Sequence, residues 1–163
     1  MSEINPDLSP RRRFLSGLLD GKKGRRISVA NPTSIACIEL MDRVGVSFPE
    51  AHLDAGQMAE LASGGYDILG FDTIMPEFSV QQEVAAHGCE VDWGNRSMMP
   101  TSRIHPVKAV AEAVVPAHIL EKPSLKVVLD AIALLRREYG DRAAILGKVM
   151  GPWTISYHTV GVE

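Results

Sequence analysis

Apolar positions recur along the chain in short blocks that switch between helical and strand-like spacing. Phe14, Leu15, Leu18 and Leu19 form a helical stripe, with Ser9 placed as N-cap, Pro10 at the first helical position and Gly21 as the stop. Ile27-Ser28-Val29-Ala30 alternates and predicts a strand ending at Asn31-Pro32. Ser34 can cap a second helix carrying Ile35, Ile38, Leu40, Met41 and Val44, closed by Gly45. Asp54 can cap a third, carrying Met58 and Leu61 and ending at Gly64-Gly65. Tyr66 to Phe71 is a compact apolar run with aromatic and β-branched members, the pattern of a buried parallel strand. Asp72 then stands where that strand should end, ahead of a loop bearing Pro76.

Beyond this centre, Ser79 to Ala86 predicts a short helix and Cys89 to Gly94 an excursion strand. Prolines at 100, 106, 116 and 123 mark a long surface connection. From Ser124 the pattern sharpens: Leu125, Val128, Leu129, Ile132 and Leu135 lie at helical spacing, followed by Gly140. Ala143 to Met150 predicts a second buried strand, and Gly151-Pro152-Trp153-Thr154 turns the chain into another helix. Strands alternating with helices predict a parallel α/β fold in one domain over residues 1–163, with residues 1–26 as an N-terminal helix and basic linker. An α/β barrel needs about 250 residues, so 163 residues suggest the first part of one.

Composition narrows the partners. A hydrophobic content of 45% supports a sizeable core, and a net charge of −3 gives no electrostatic footprint for nucleic acid or an anionic membrane. Seven of the 17 Lys and Arg precede residue 27 (Arg11, Arg12, Arg13, Lys22, Lys23, Arg25, Arg26), which reads as a solvated helix and loop. Two cysteines make no disulfide framework. No apolar run reaches the ~20 residues of a membrane span, and Met1 to Pro10 has no signal-peptide core, so a cytoplasmic location is expected.

Three segments carry a resemblance: Gly70-Phe71-Asp72-Thr73-Ile74-Met75-Pro76, Gly88-Cys89-Glu90-Val91-Asp92-Trp93-Gly94, and Gly147-Lys148-Val149-Met150-Gly151-Pro152-Trp153-Thr154. Together they resemble the uroporphyrinogen decarboxylase superfamily, and within it the methylcobamide:coenzyme M and related corrinoid-dependent methyltransferases. The resemblance implies a TIM-barrel-type (β/α) fold present as roughly its first half. It implies methyl transfer from a methylcorrinoid protein to a small thiol-type substrate. It places the zinc ligands in the second half of the barrel, so no cofactor or metal is expected within this chain. The decarboxylase alternative meets a departure: Val29-Ala30-Asn31-Pro32-Thr33-Ser34-Ile35 lacks the arginines that would grip a polycarboxylate. A third alternative is a catalytically incomplete partial barrel acting as a subunit. Open barrel edges invite pairing, so a homodimer is one expectation.

The resemblance implies a catalytic role for Asp72, since the decarboxylases carry an aspartate there that accepts pyrrole N–H groups; loop capping is the plainer use. Asn31 ends the first predicted strand and can face the cavity. Lys148, on a buried strand, needs a carboxylate partner, with Asp72 and Glu77 as candidates, and serves either an ion pair or the site. Tyr157 and His158 lie just past the last strand, where barrel loops gather catalytic groups. Together with Asn31 and Lys148 they are the candidate substrate-binding residues. Glu83 reads as a solvated charge. His87-Gly88-Cys89 matches His-x-Cys as a string, but no further ligand stands at a recognisable spacing, so structural use is expected.

Overall fold

The computed structural model describes residues 8–21 and 26–161. Lys22, Lys23 and Arg25 of the basic linker, and the start of the segment read for a leader, lie outside them.

Two helices with apolar stripes cover a short parallel sheet. Helix α1 is Pro10–Leu19, α2 Ile38–Val44, α3 Glu50–Leu53 and α4 Ala55–Asp67. Strand β1 is Thr73–Ile74, followed by α5 Gln81–Ala86, β2 Val91–Asp92 and β3 Thr101–Ser102. Helix α6 Pro123–Tyr139, strand β4 Ala144–Ile145 and helix α7 Pro152–Val160 complete the order. β1 and β4 pair in parallel, Thr73 opposite Ala144 and Ile74 opposite Ile145, so the chain between them makes the crossover. β2 and β3 form a separate antiparallel pair. Met58 and Leu61 of α4, Ile74 of β1, and Val128, Ala131 and Leu135 of α6 meet in the core.

Capping follows local chemistry. Asp54 Oδ1 accepts the Gln57 N–H at 2.8 Å and starts α4, and Ser9 Oγ accepts the Arg12 N–H at the start of α1. α2 starts one turn later than expected, from Cys37 rather than Ser34.

The central strand is displaced from its predicted position. α4 runs straight through Gly64 and Gly65 to Asp67, and Gly70, at φ +75°, turns the chain toward the strand. The two glycines serve close packing rather than termination. A Cβ on Gly64 would lie 3.0 Å from a Val44 methyl, and one on Gly65 3.3 Å from the Phe71 ring. Tyr66 to Phe71 is therefore helix end and turn, and Asp72 precedes β1 instead of following it.

Other expected strands are shorter than predicted. Residues 27–30 form no regular strand, although the Asp72 N–H donates to Val29 O at 2.7 Å and lays this segment beside β1. The 143–150 block is regular only at Ala144–Ile145. The barrel-type architecture is thus present as a small parallel sheet in a mainly helical frame. Leu18 and Leu19 of the predicted α1 stripe are exposed, as are Val149 and Trp153, each at 84%.

Candidate functional site

β1 and β4 define a polarity, because barrel enzymes place chemistry at the C-terminal ends of parallel strands. At the N-terminal end stands Asp72, 1% exposed. Arg13 of α1 donates from Nη2 to Oδ1 at 2.5 Å and from Nε to Oδ2 at 3.1 Å. Ser28 Oγ and the Val29 N–H each donate to Oδ2 at 3.0 Å. Burial pushes the Asp72 carboxyl up, but the Arg13 guanidinium, the Val29 N–H and the Ser28 hydroxyl together hold it below the usual carboxylate range. Both oxygens are thus taken by the fold. Arg13 leaves the solvated basic group to which the sequence assigns it, since a buried aspartate recruits it.

Asn31 belongs to the same end. Its N–H donates to Thr73 Oγ1 at 3.1 Å, while its side-chain oxygen accepts the Thr33 N–H and hydroxyl in a local turn. Asp72 and Asn31 thus occupy the end opposite the one expected for them.

At the other end the chain leaves β1 as Met75-Pro76-Glu77 and leaves β4 as Leu146-Gly147-Lys148. Lys148 Nζ donates to the backbone oxygen of Glu77 at 2.9 Å. Of the two expected partners, Glu77 rather than Asp72 is beside it. The Glu77 side chain is 2% exposed, and neither carboxylate oxygen has a hydrogen-bond partner among the described residues. Burial pushes this carboxyl up to about 7, Lys148 pulls it down, and Glu83 adds to the rise.

Glu83 on α5 is half-buried rather than solvated. Its two oxygens accept the Met150 N–H at 3.0 and 3.2 Å, just ahead of α7. Burial raises its pKa, against the Met150 N–H, Lys148 and His87. Met150 and His87 also line a cavity of about 520 Å³ with Val107, Val115, Ile155 and Val160. That volume lies in the range of small-molecule sites.

α5 also reaches the last helix through Gln81. His158 Nδ1 lies 3.4 Å from Gln81 Nε2 and 3.2 Å from Ser102 Oγ, and the Ser102 hydroxyl donates to Gln81 Oε1 at 2.8 Å. Burial, and then His105, lower the His158 pKa and favour the neutral ring. Tyr157 packs edge-on against His158 at 5.1 Å and is 48% exposed. Tyr157 and His158 thus sit on α7, which His158 ties to Gln81 of α5, and Lys148 lies on the approach to α7 beside Glu77, whereas Asp72 and Asn31 are at the other end of β1.

Glu77 and Glu83 are the residues that sequence patterns did not promote. The usable signal was a carboxylate just past a strand, but the displaced strand assigned that position to Asp72.

Among the described residues, no three His, Cys, Asp or Glu side chains are grouped to hold a metal. The Cys89 thiol lies 3.5 Å from His158 O, and burial pushes its pKa up.

A family model for uroporphyrinogen decarboxylase (URO-D) matches residues 10–163. Methylcobamide:CoM methyltransferase MtaA of Methanosarcina barkeri (strain Fusaro) is 32% identical over 150 residues, covering 91% of this chain and 44% of that protein. Methylated-thiol--coenzyme M methyltransferase of Methanosarcina mazei is 32% identical over 158 residues, covering 96% of this chain and 42% of that protein. A solved methyltransferase from Methanosarcina mazei superposes with a TM-score of 0.86 at 31% identity, over 94% of this chain and 46% of that one. The chain spans less than half the length of these relatives.

Proposed function

Because the chain belongs to the uroporphyrinogen decarboxylase family, we propose that it forms the N-terminal part of the barrel of a corrinoid-dependent methyltransferase. The reaction moves a methyl group from a methylcorrinoid protein to a small thiol-type acceptor. The observation that carries this reading is the identity to methylcobamide:CoM and methylated-thiol methyltransferases across nearly the whole chain. A superposition that likewise spans almost the entire chain supports it.

On this reading Lys148, Tyr157 and His158 face the substrate, grouped by α5 and α7 beside the cavity at Met150. Asp72 and Asn31 secure the opposite end of β1. Zinc, which would bind the acceptor sulfur and favour its thiolate, is held by residues beyond this chain. Val149 and Trp153, exposed beside the site, meet a complementary half-barrel or a second copy.

Decarboxylation of a tetrapyrrole carboxylate is the weaker alternative. The 29–35 segment offers no arginine, and Asp72 has both oxygens engaged by Arg13, Ser28 and Val29.

The test supplies the chain with the C-terminal half of a relative, zinc, a methylcorrinoid protein and coenzyme M. Methylated thiol is the expected product. Its absence with both halves folded and associated, or turnover of uroporphyrinogen instead, would overturn the assignment. Solution mass of the chain alone checks the edge: a dimer is expected, and a monodisperse monomer with a cooperative melt would count against open edges.

A further inference from the structure

Glu77 stands out among the buried polar groups. Native proteins satisfy buried polar atoms, and an ionised carboxylate without donors is among the costliest groups to leave unpaired. Yet both Glu77 oxygens, 2% exposed and just past the C-terminal end of β1, lack a partner among the described residues. The charged groups acting on it are Lys148, anchored on its own backbone oxygen, and Glu83, fixed by the Met150 N–H. His87 in turn acts on Glu83. Met150 and His87 line the 520 Å³ cavity, and Glu83, bound to the Met150 N–H, stands behind that wall.

Such a carboxyl is built to change protonation state, since neither form is locked by hydrogen bonds. Its opposite number, Asp72, is locked by four. We propose that Glu77 is the proton acceptor of this site, taking the proton that the thiol acceptor loses as its thiolate forms, with Lys148 and Glu83 as its positioning groups.

The inference rests on the methyl-transfer reading. The sulfur lone pair forms the S–CH₃ bond as the carbon–cobalt bond breaks, and both electrons of that bond stay on cobalt, which goes from Co(III) to Co(I). The S–H proton leaves for the Glu77 carboxylate before that attack, as the thiolate forms, and Glu77 becomes a neutral acid. A carboxyl held near 7 accepts that proton and returns it to solvent at neutral pH without a large imbalance either way.

Two measurements separate this proposal from its premise. Infrared titration of the chain alone follows the carbonyl stretch of a protonated carboxyl. A band that bleaches near pH 7 is expected, absent in Glu77→Gln, moved to higher pH in Lys148→Met and to lower pH in Glu83→Gln. Full ionisation of Glu77 by pH 5 would overturn the proposal, whatever the activity.

The second is the pH profile of methyl transfer to coenzyme M from methylcorrinoid protein, with the C-terminal half supplied. Glu77→Gln is expected to lose the ionisation near pH 7 and to slow transfer about a hundredfold, with Glu77→Asp recovering part of the rate. An unchanged profile and rate in Glu77→Gln would overturn the proton role while leaving the methyltransferase reading intact. No transfer by the wild-type halves would overturn that reading and this step with it.

Discussion

The two ends of β1 each hold a buried carboxylate, and the two are treated in opposite ways. Asp72 accepts four hydrogen bonds, two of them from one guanidinium, and stays ionised. Glu77 accepts none from the described residues and is pushed toward its neutral form. Both side chains are almost wholly inaccessible, so exposure alone does not separate them. The supply of donors does. A saturated carboxylate fastens one segment to another, whereas an unsaturated one retains a proton equilibrium that chemistry can use. That division matches barrels in which one face of the strands carries stability and the other carries reaction groups.

Breaking the saturated end should have the largest effect. Asp72→Ala leaves Arg13, the Ser28 hydroxyl and the Val29 N–H without their acceptor. A loss of about 3–5 kcal/mol is expected, read by denaturant unfolding. An effect as small as that of a surface substitution would show that the pair carries no such burden.

Glu77→Gln should act in the opposite direction and only at higher pH. The folded pKa lies above the unfolded one, so the folded state binds more protons between 4.5 and about 7. Stability from this group is therefore full below 4.5 and lost as pH rises through 7. The interval corresponds to about 3 kcal/mol, so the gain from the amide grows by about that amount between pH 4.5 and 8. Thermal melts across that range check it.

His52 must be removed from view to see this cleanly. Its ring is fully buried and stacked 4.2 Å from Phe48, and burial lowers its pKa to about 4. Its folded pKa is depressed, so the unfolded state takes up protons first and stability is lost as pH falls from 6.5 through 4. The two groups oppose each other in one window. His52→Leu is expected to remove an acid-side loss of about 3 kcal/mol and so steepen the decline with rising pH that Glu77 causes.

Two smaller substitutions sharpen the contrast. Ser28→Ala removes one hydrogen bond to an ionised acceptor and should cost about 1.5 kcal/mol. Asn31→Ala loosens an exposed turn and should cost about 0.5 kcal/mol, with thiol KM unchanged in the complemented enzyme. A rise in KM would return Asn31 to the substrate side.

Helical periodicity was the most legible part of the sequence. Ser9-Pro10, Asp54 and the Leu125-to-Leu135 stripe mark helices that form where expected, because capping and amphipathicity act within a turn or two. The central strand was misplaced because Gly64-Gly65 resembles a stop in one dimension. In three dimensions it is a thin place on α4, against which Val44 and Phe71 lie. That shift set the strand end ahead of its true place and promoted Asp72 over Glu77. Lys148 was legible, since a lysine after a buried strand demands a partner. The missing hydrogen bonds of Glu77 were not, because an absent donor leaves no trace in sequence.

The attachment of α1 has a calorimetric consequence. This helix has no fully buried side chain. It is held by the Arg13 fork on Asp72 and by the Arg11 N–H on Arg142 O at 2.9 Å. Heat capacity of unfolding follows apolar area brought into water, while polar area lowers it. Detaching α1 therefore absorbs heat to break charge-assisted bonds while barely changing the heat capacity, unlike the melting of α4 and α6.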